Sequence, residues 1–433
     1  MRSISFILFF FFTGIGVNAQ RILSLQQAIE IALKNNYTIT IAKNDASIAA
    51  NDVTPGNAGA LPTLDLGLIQ NNSNNDSKQS YSNGTDVNKT GAKAHSLNAD
   101  ALLSWTIFDG FKMFATYNKL EELSAMGELN ARVTIEETVN QVINSYFEIV
   151  RMKALIDVTQ NALDVSQLKL SIAKTKFEIG STSKVEYLQA TIDRNADSSS
   201  LLLQQQSIDN SKVRLNELLA RDLDANYDVD TAIEITFNSS LDELKTIAEK
   251  ENTSLLLAQK DVSISNYYIK ELQGSRYPRI GLNGSYVYSK ANSEASFILD
   301  SRTSGFNYGF SVTYNLFNGF NLNRNIKNAR IMSDNAMVNY TAAKADVNSN
   351  LIIAYRVFKN NLQLLALEQS NSLLATENLN LALERFRAGS IDELQLKDAQ
   401  QSNVEAQNRL VNAKFVAKVS EVYLKRISGQ LLK

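Results

Sequence analysis

Ser311 to Phe320 reads Ser-Val-Thr-Tyr-Asn-Leu-Phe-Asn-Gly-Phe, an alternating run that closes in a turn, and Leu102 to Phe111 reads Leu-Leu-Ser-Trp-Thr-Ile-Phe-Asp-Gly-Phe. Trp105, Phe108, Gly110 and Phe111 match Tyr314, Phe317, Gly319 and Phe320 at a constant offset of 209. The same offset carries Tyr146 onto Tyr355, Phe177 onto Phe386, Gly180-Ser181 onto Gly389-Ser390, Ala190 onto Ala399 and Leu215 onto Leu424. Upstream, Ser24-Leu25 matches Ser240-Leu241, Ala32 matches Ala248, Asn36 matches Asn252 and Pro62 matches Pro278 at an offset of 216. The chain is a tandem duplication, and a repeat of this kind outranks any reading by length. The change of offset gives the first copy seven extra residues between Pro62 and Trp105, most simply held in an Asn/Ser-rich loop. Each copy reads helix, strand, loop, strand, long helix, tip, long helix.

Composition fits that pattern. Only three prolines punctuate 433 residues, so long uninterrupted elements are expected. Net charge is −2 with basic residues scattered, which leaves no electrostatic footprint for nucleic acid. The absence of cysteine excludes disulfides, thiolate metal sites and lipid attachment through a thiol. Residues 1–19 read as a secretory signal: Arg2 is the charged start, Ile4 to Phe12 the apolar core, and Val17-Asn18-Ala19 precedes the cut. The alternative, a retained helical anchor, has a short apolar core that stops at Thr13-Gly14. Beyond it no apolar run approaches the roughly 18 residues that a membrane helix needs.

The first repeat spans residues 20–225 and the second 240–433, with 226–239 as a non-helical junction. Ser24 to about Asp52 is predicted as one amphipathic helix with a Ser24-x-x-Gln27 capping box. Strands are predicted at about 62–70 and 97–107 in the first copy and 279–289 and 306–316 in the second. Leu64, Leu66 and Leu68 alternate with Thr63, Asp65 and Gly67, and Phe306, Tyr308, Phe310, Val312, Tyr314 and Leu316 alternate with polar or small residues. Asn71 to Ser96, which contains the only histidine, His95, reads as a mobile loop. Strands of about 9 to 11 residues cross a bilayer when tilted, and Trp105, Tyr286, Tyr288 and Tyr314 would then sit at the membrane interface. Alternation alone also fits two soluble hairpins over a core.

From about Phe111 to Phe177 there is no proline, and Val139, Val142, Tyr146, Ile149 and Ile156 recur at helical spacings. Such a helix is about 100 Å long. Gly180 and Gly389 break the two long helices, and Ser183-x-x-Glu186 and Ser390-x-x-Glu393 restart them, giving tips at 178–183 and 387–391. The thin apolar seams suggest coiled-coil-like pairing. One histidine and no cysteine leave no nucleophile–base pair, metal cluster or phosphate loop to assemble, which argues against an enzyme and against a cofactor. Four strands per chain cannot close a membrane barrel, whose smallest form has about eight strands, so chains must pool their strands.

The whole mature chain resembles the outer-membrane efflux proteins, the TolC-like channels. The matching residues are Leu25-x-x-Ala28-x-x-x-Ala32-x-x-x-Asn36, the strand starts Leu61-Pro62 and Tyr277-Pro278, both Phe-Asp/Asn-Gly turns, and Phe-x-x-Gly-Ser at both tips. The resemblance implies an α+β membrane protein: a homotrimer with a twelve-stranded β-barrel in the outer membrane continuous with a twelve-helix periplasmic α-barrel. It also implies docking of a periplasmic adaptor at the tips, at Gly180, Ser181, Gly389 and Ser390, and service to an inner-membrane transporter of the RND, ABC or MFS class. The tunnel entrance would involve Glu186, Phe386, Gln395 and Asp398. Gln395 and Asp398 match positions where relatives carry acidic rings, but Gln395 is neutral, Ile391 replaces an arginine and Phe386 replaces a tyrosine. Asp398 could face the lumen or pair sideways with Lys397 of a neighbouring chain. The implied function is a passive exit duct for efflux or type I secretion. A partner-independent porin and a trimeric helical surface protein are the alternatives.

Overall fold

The computed structural model describes residues 22–432, so the expected signal at 1–19 lies outside the described residues. In chain order the elements are β1 (Ile22–Leu23), α1 (Leu25–Asn35), α2 (Tyr37–Asn51), β2 (Thr63–Ser80), β3 (Asp86–Phe108), α3 (Lys112–Glu178) and α4 (Lys184–Leu218). They continue as β4 (Asp228–Val229), α5 (Leu241–Glu251), α6 (Thr253–Gly274), β5 (Arg279–Ser293), β6 (Asp300–Thr313), α7 (Asn321–Arg387) and α8 (Glu393–Ile427). The helices α3 and α7 have 67 residues each, and α4 and α8 have 35 each. Among the described residues no helix is long and apolar enough to cross a membrane.

The chain divides into two compact units. One gathers the residues up to Ile41, Thr134–Glu251 and those from Asn348 onward; the other holds Ala42–Val133 and Asn252–Val347. In the first unit the seam residues Val139, Val142, Tyr146 and Ile149 are buried against Ala28 and Ala32 of α1, Leu215 of α4 and Val422 of α8. The junction between repeats is not featureless. Within it β4 pairs in parallel with β1, Ile22 opposite Asp228 and Leu23 opposite Val229. The Tyr146 hydroxyl joins them, donating to the Leu23 carbonyl at 3.0 Å and accepting from the Asp230 N–H at 3.2 Å. Burial pushes the neighbouring Tyr227 hydroxyl up to about 12, against the opposing pull of Arg221, so it stays protonated as a donor.

The single helix predicted from Ser24 to Asp52 is two. Ser24 and Gln27 form their reciprocal capping box, but Asn36 leaves the helical region and its Oδ1 accepts from the N–H groups of Thr38 and Ile39 at 2.9 and 3.1 Å. Its repeat equivalent Asn252 caps α6 in the same way, accepting from Leu255 N–H at 3.1 Å. An asparagine side chain offers the backbone a partner that competes with the helix, which amphipathic spacing does not register.

In the second unit the four long strands form one antiparallel sheet in the order β2-β3-β5-β6. Strands β2 and β3 run far beyond the predicted 62–70 and 97–107, so the expected loop Asn71–Ser96 is instead mostly ladder, from Thr63 opposite Ser104 to Ser80 opposite Asp86. His95 is a strand residue, its Nδ1 2.7 Å from the Asn72 Oδ1. The second hairpin ladder is shorter, from Arg279 opposite Thr313 to Asn292 opposite Asp300. The seven extra residues of the first copy therefore lengthen its ladder rather than its turn. Where both faces of a hairpin are wet, its residues need not alternate, and backbone pairing alone satisfies the peptide groups. In the second copy β6 stops at Thr313, short of the predicted 316, and Tyr314 and Leu316 lie in the connection to α7. Their counterparts Trp105 and Ile107 stay in β3, where β5 lies alongside, Trp105 opposite Leu282 and Phe108 opposite Ile280. Among the described residues no strand lies beside Tyr314.

Candidate functional site

Two surfaces carry the residues singled out by sequence, one in each unit. In the helical unit both tips end in the same hydrogen-bonded turn. Gly180 has φ +75° and Gly389 φ +71°. Ser181 N–H donates to the Lys176 carbonyl at 2.8 Å and Gly180 N–H to Phe177 at 3.0 Å; Ser390 donates to Arg385 at 2.8 Å and Gly389 to Phe386 at 3.1 Å. This is the glycine-terminated Schellman closure, in which the left-handed residue lets the last helical carbonyls find partners. A Cβ at either glycine would meet nothing within 4 Å, so the tip glycines face open space.

The restarts differ. Ser183 caps α4, accepting from Glu186 N–H at 3.3 Å, while the Glu186 carboxylate takes the Thr182 hydroxyl rather than returning to the cap backbone. For α8 the predicted Ser390-x-x-Glu393 box does not form. Asp392 is the cap, accepting from Gln395 N–H at 2.8 Å, because an aspartate two residues on caps as well as serine and adds charge complementary to the helix dipole. Glu393, at the first helical position, is then free to turn toward α3.

There it meets a buried cation that sequence reasoning missed. Lys169 of α3 is 2% exposed and lies 3.4 Å from the Glu393 carboxylate and 3.5 Å from Asp193 of α4. Lys397 of α8 reaches the same Asp193 at 3.1 Å. Burial alone would push the Asp193 carboxyl up, but hydrogen bonds from Gln189 and Lys397 and the charges of Lys169 and Lys397 outweigh it and hold the group below the usual carboxylate range. Three helices are thus tied by charge just above the tips. A signal was present: Ala162, Ser166, Lys169 and Ala173 recur at spacings of four, three and four, all buried, so the lysine sits on the seam. Its partners come from elsewhere in the sequence, and the repeat equivalents of Lys169 and Asp193 are Asn378 and Ser402, so the duplication gives no hint of them.

Of the predicted entrance residues, Phe386 is buried at 8% exposure with Leu379 and Leu396, and the Lys176 ammonium lies 5.1 Å from its ring. It lines, with Glu186, Lys169 and Ile391, a pocket of about 330 Å³. Gln395 and Asp398 are exposed on α8 and lie one turn apart. Asp398 makes no ion pair among the described residues, and Lys397, its suggested partner, is held by Asp193 of its own chain.

In the sheet unit the register sorts side chains onto two faces. One face carries, row by row across β2-β3-β5-β6, Leu64-Leu103-Gly284-Tyr308, Leu66-Ala101-Tyr286-Phe306 and Leu68-Ala99-Tyr288-Ser304, with Trp105-Leu282-Phe310 at the end nearer the helices. The other carries Thr63-Ser104-Asn283-Gly309, Asp65-Leu102-Ser285-Asn307 and Gly67-Asp100-Val287-Gly305. The apolar face is uncovered: Leu66 and Tyr308 are each 83% exposed. Both outer strands, β2 and β6, have an unpaired edge. Tyr288 stands at one limit of the apolar rows with Tyr286 one row inside; Trp105 stands one row inside the other limit, formed by Phe108, Ile280 and Val312, and Tyr314 lies beyond the strand end.

Comparison with known proteins agrees with this geometry. The family described as outer membrane efflux protein matches residues 28–221 and 245–430. The chain is 20% identical to the outer membrane protein TolC of Escherichia coli (strain K12) over 423 residues, covering 94% of this chain and 82% of the relative. Among solved structures it is similar to the Campylobacter jejuni CmeC outer membrane channel, with TM-score 0.76, 18% identity and coverage of 94% of this chain and 86% of that one. It is equally similar to a membrane protein from Pseudomonas aeruginosa, with TM-score 0.75, 17% identity and coverage of 94% and 93%. The chain belongs to the outer membrane efflux protein family, whose members are channels of the outer membrane and not enzymes.

Proposed function

We propose that three copies of this chain assemble into a passive exit duct, a twelve-stranded barrel in the outer membrane joined to a twelve-helix periplasmic tunnel. The observation that carries the reading is the four-stranded sheet with one bare apolar face and two unpaired edges. Unpaired peptide groups are not tolerated in lipid, so each edge needs a strand from another copy. Bare leucines and aromatics on one face suit lipid, and Asn, Ser, Thr, Asp and Gly on the other suit a water-filled lumen. The resemblance to TolC-like channels implies three copies rather than two.

The tips are the docking points for a periplasmic adaptor, itself carried by an inner-membrane transporter of the RND, ABC or MFS class. Gly180 and Gly389 present bare backbone there, which favours recognition by shape and close approach. Replacing Gly389 by Val should leave heat-modifiable trimers in the outer membrane while abolishing export. Normal export in that variant would remove the tip from the docking surface.

A further inference from the structure

We infer that Lys290 and Arg302 form a binding site for the phosphate of a lipid headgroup in the outer leaflet. The inference rests on the barrel reading above, which makes the apolar face of the sheet its lipid-facing side. Lys290 and Arg302 stand directly opposite one another on β5 and β6. Two cations at a directly opposed cross-strand position repel, so the pair calls for an anion that the protein does not supply. Among the described residues neither cation has an ion-pair partner. The nearby Glu294 is engaged by Lys89 at 3.8 Å, and Asp300, one row beyond Arg302, lies opposite Asn292.

The position is as informative as the charge. Lys290 and Arg302 continue the apolar face, in the row immediately past Tyr288 and Ser304 and alongside Gln70 and Leu97. From Ile280 to Lys290 the strand climbs about 34 Å along its axis, or about 26 Å across a bilayer at the usual barrel tilt. That matches the apolar band of about 25 Å found in outer-membrane barrels, so the row falls at the border between acyl chains and headgroups. At the same height the lumen-facing side is uncharged, with Ser289 opposite Thr303 and Ala291 opposite Ser301. The positive charge is thus confined to the lipid side. A lysine there can lay its methylene stem over Tyr288 and lift its ammonium to the headgroups, and a guanidinium can grip two phosphate oxygens at once.

The test uses the full-length protein, purified as trimers in detergent, with three probes: lipid A bearing its two phosphates, the same lipid dephosphorylated, and inorganic phosphate. Retained lipid is counted by native mass spectrometry. Wild type should prefer the phosphorylated lipid by about tenfold or more, since each basic residue near an anionic surface contributes roughly fivefold and two act together. Lys290→Gln combined with Arg302→Gln should lose that preference with trimers intact, and Arg302→Lys should keep most of it. Equal retention of both lipids by wild type, or an undiminished preference in the double variant, would overturn the proposal. So would inorganic phosphate at millimolar concentration displacing the lipid, which would mark a soluble-anion site. Should wild type fail to form membrane-extracted trimers at all, the barrel reading falls and takes this one with it.

Discussion

The turn that opens each long helix has one sequence pattern and one backbone in both copies, yet two different surroundings. Gly110 and Phe111 have φ of +75° and +66°, Gly319 and Phe320 +67° and +61°, and the ring pairs Phe108–Phe111 and Phe317–Phe320 meet edge-on at 5.2 and 5.3 Å. A Cβ on Gly110 would stand 2.1 Å from the Gly274 carbonyl oxygen, whereas one on Gly319 would meet only Asn321 Nδ2 at 3.7 Å. The first turn is packed because α6 of the second copy ends against it. The second turn lacks the matching neighbour, and the 216-residue offset says what that would be: Gly274 corresponds to Ala58, in the turn after α2. The strands repeat the lesson, since Trp105, Thr106 and Phe108 are paired by β5 while, among the described residues, no strand pairs with Tyr314 to Phe317. On the trimer proposed above, one chain is a segment of a cycle, and its second copy pairs with the first copy of the next chain.

The sharpest way to break that comparison is to add a methyl group at each glycine. Gly110→Ala collides with backbone inside the chain and should eliminate outer-membrane trimers. Gly319→Ala, judged on the single chain, should cost only the left-handed strain of about 1–2 kcal/mol. Judged on the cycle, it should be nearly as damaging as Gly110→Ala. Gly180→Ala calibrates the strain alone, because it too is left-handed and open. Trimer yield in extracted membranes decides: Gly319→Ala behaving like Gly180→Ala would mean the second turn stays bare.

A second contrast separates the tips, because Lys169 ties α3 to α4 and α8 and has no counterpart in the other copy. Lys169→Met should lower stability by about 3 kcal/mol, the low end for stranding buried charge, since Lys397 still neutralises Asp193. Thermal unfolding of the purified protein measures it. The Asp193 carboxyl is held below its ordinary value in the folded state, so its contribution is complete above the unfolded pKa near 4 and is lost as pH falls through the lower folded value. Removing Lys169 should raise that folded value and move the acid loss to higher pH.

The smallest effect belongs to Asp398. If three copies ring a lumen roughly 8 Å apart, their carboxylates repel by about 0.5 to 2 kcal/mol per pair. That biases ions without locking a gate. Asp398→Asn should therefore weaken cation preference in planar-bilayer recordings only modestly, and no change would put the side chain off the lumen.

What was legible in the sequence was what two copies say in the same way: the helix lengths, the Gly-Ser tips and the Phe-Asp/Asn-Gly-Phe turns each carry a left-handed glycine or an unbroken apolar seam. Less legible was whatever occurs once or depends on a neighbour. Asn71 to Ser96 reads as a loop because a ladder wet on both faces has no alternation to reveal. The Asn36 break follows from a side chain competing for backbone donors, and the Lys169 cluster joins residues more than 200 positions apart. The shortfall of β6 at Thr313 is, on the proposed trimer, the place where a strand of the next chain would pair.

The most direct test of pooled strands is a disulfide across the seam between chains, in a protein with no cysteine of its own. Leu103 lies opposite Gly284 within the chain, and the two offsets transfer that pair to Val312 of one copy and Leu68 of the next. Oxidised Leu68→Cys/Val312→Cys protein in outer membranes should run as a covalent trimer on a non-reducing gel, because opposed strand residues fall within disulfide reach. Leu64→Cys/Val312→Cys, displaced by about 13 Å along the strand, should not cross-link. Monomers from the first pair, or equal cross-linking from both, would contradict the closed cycle of β6 on the neighbouring β2.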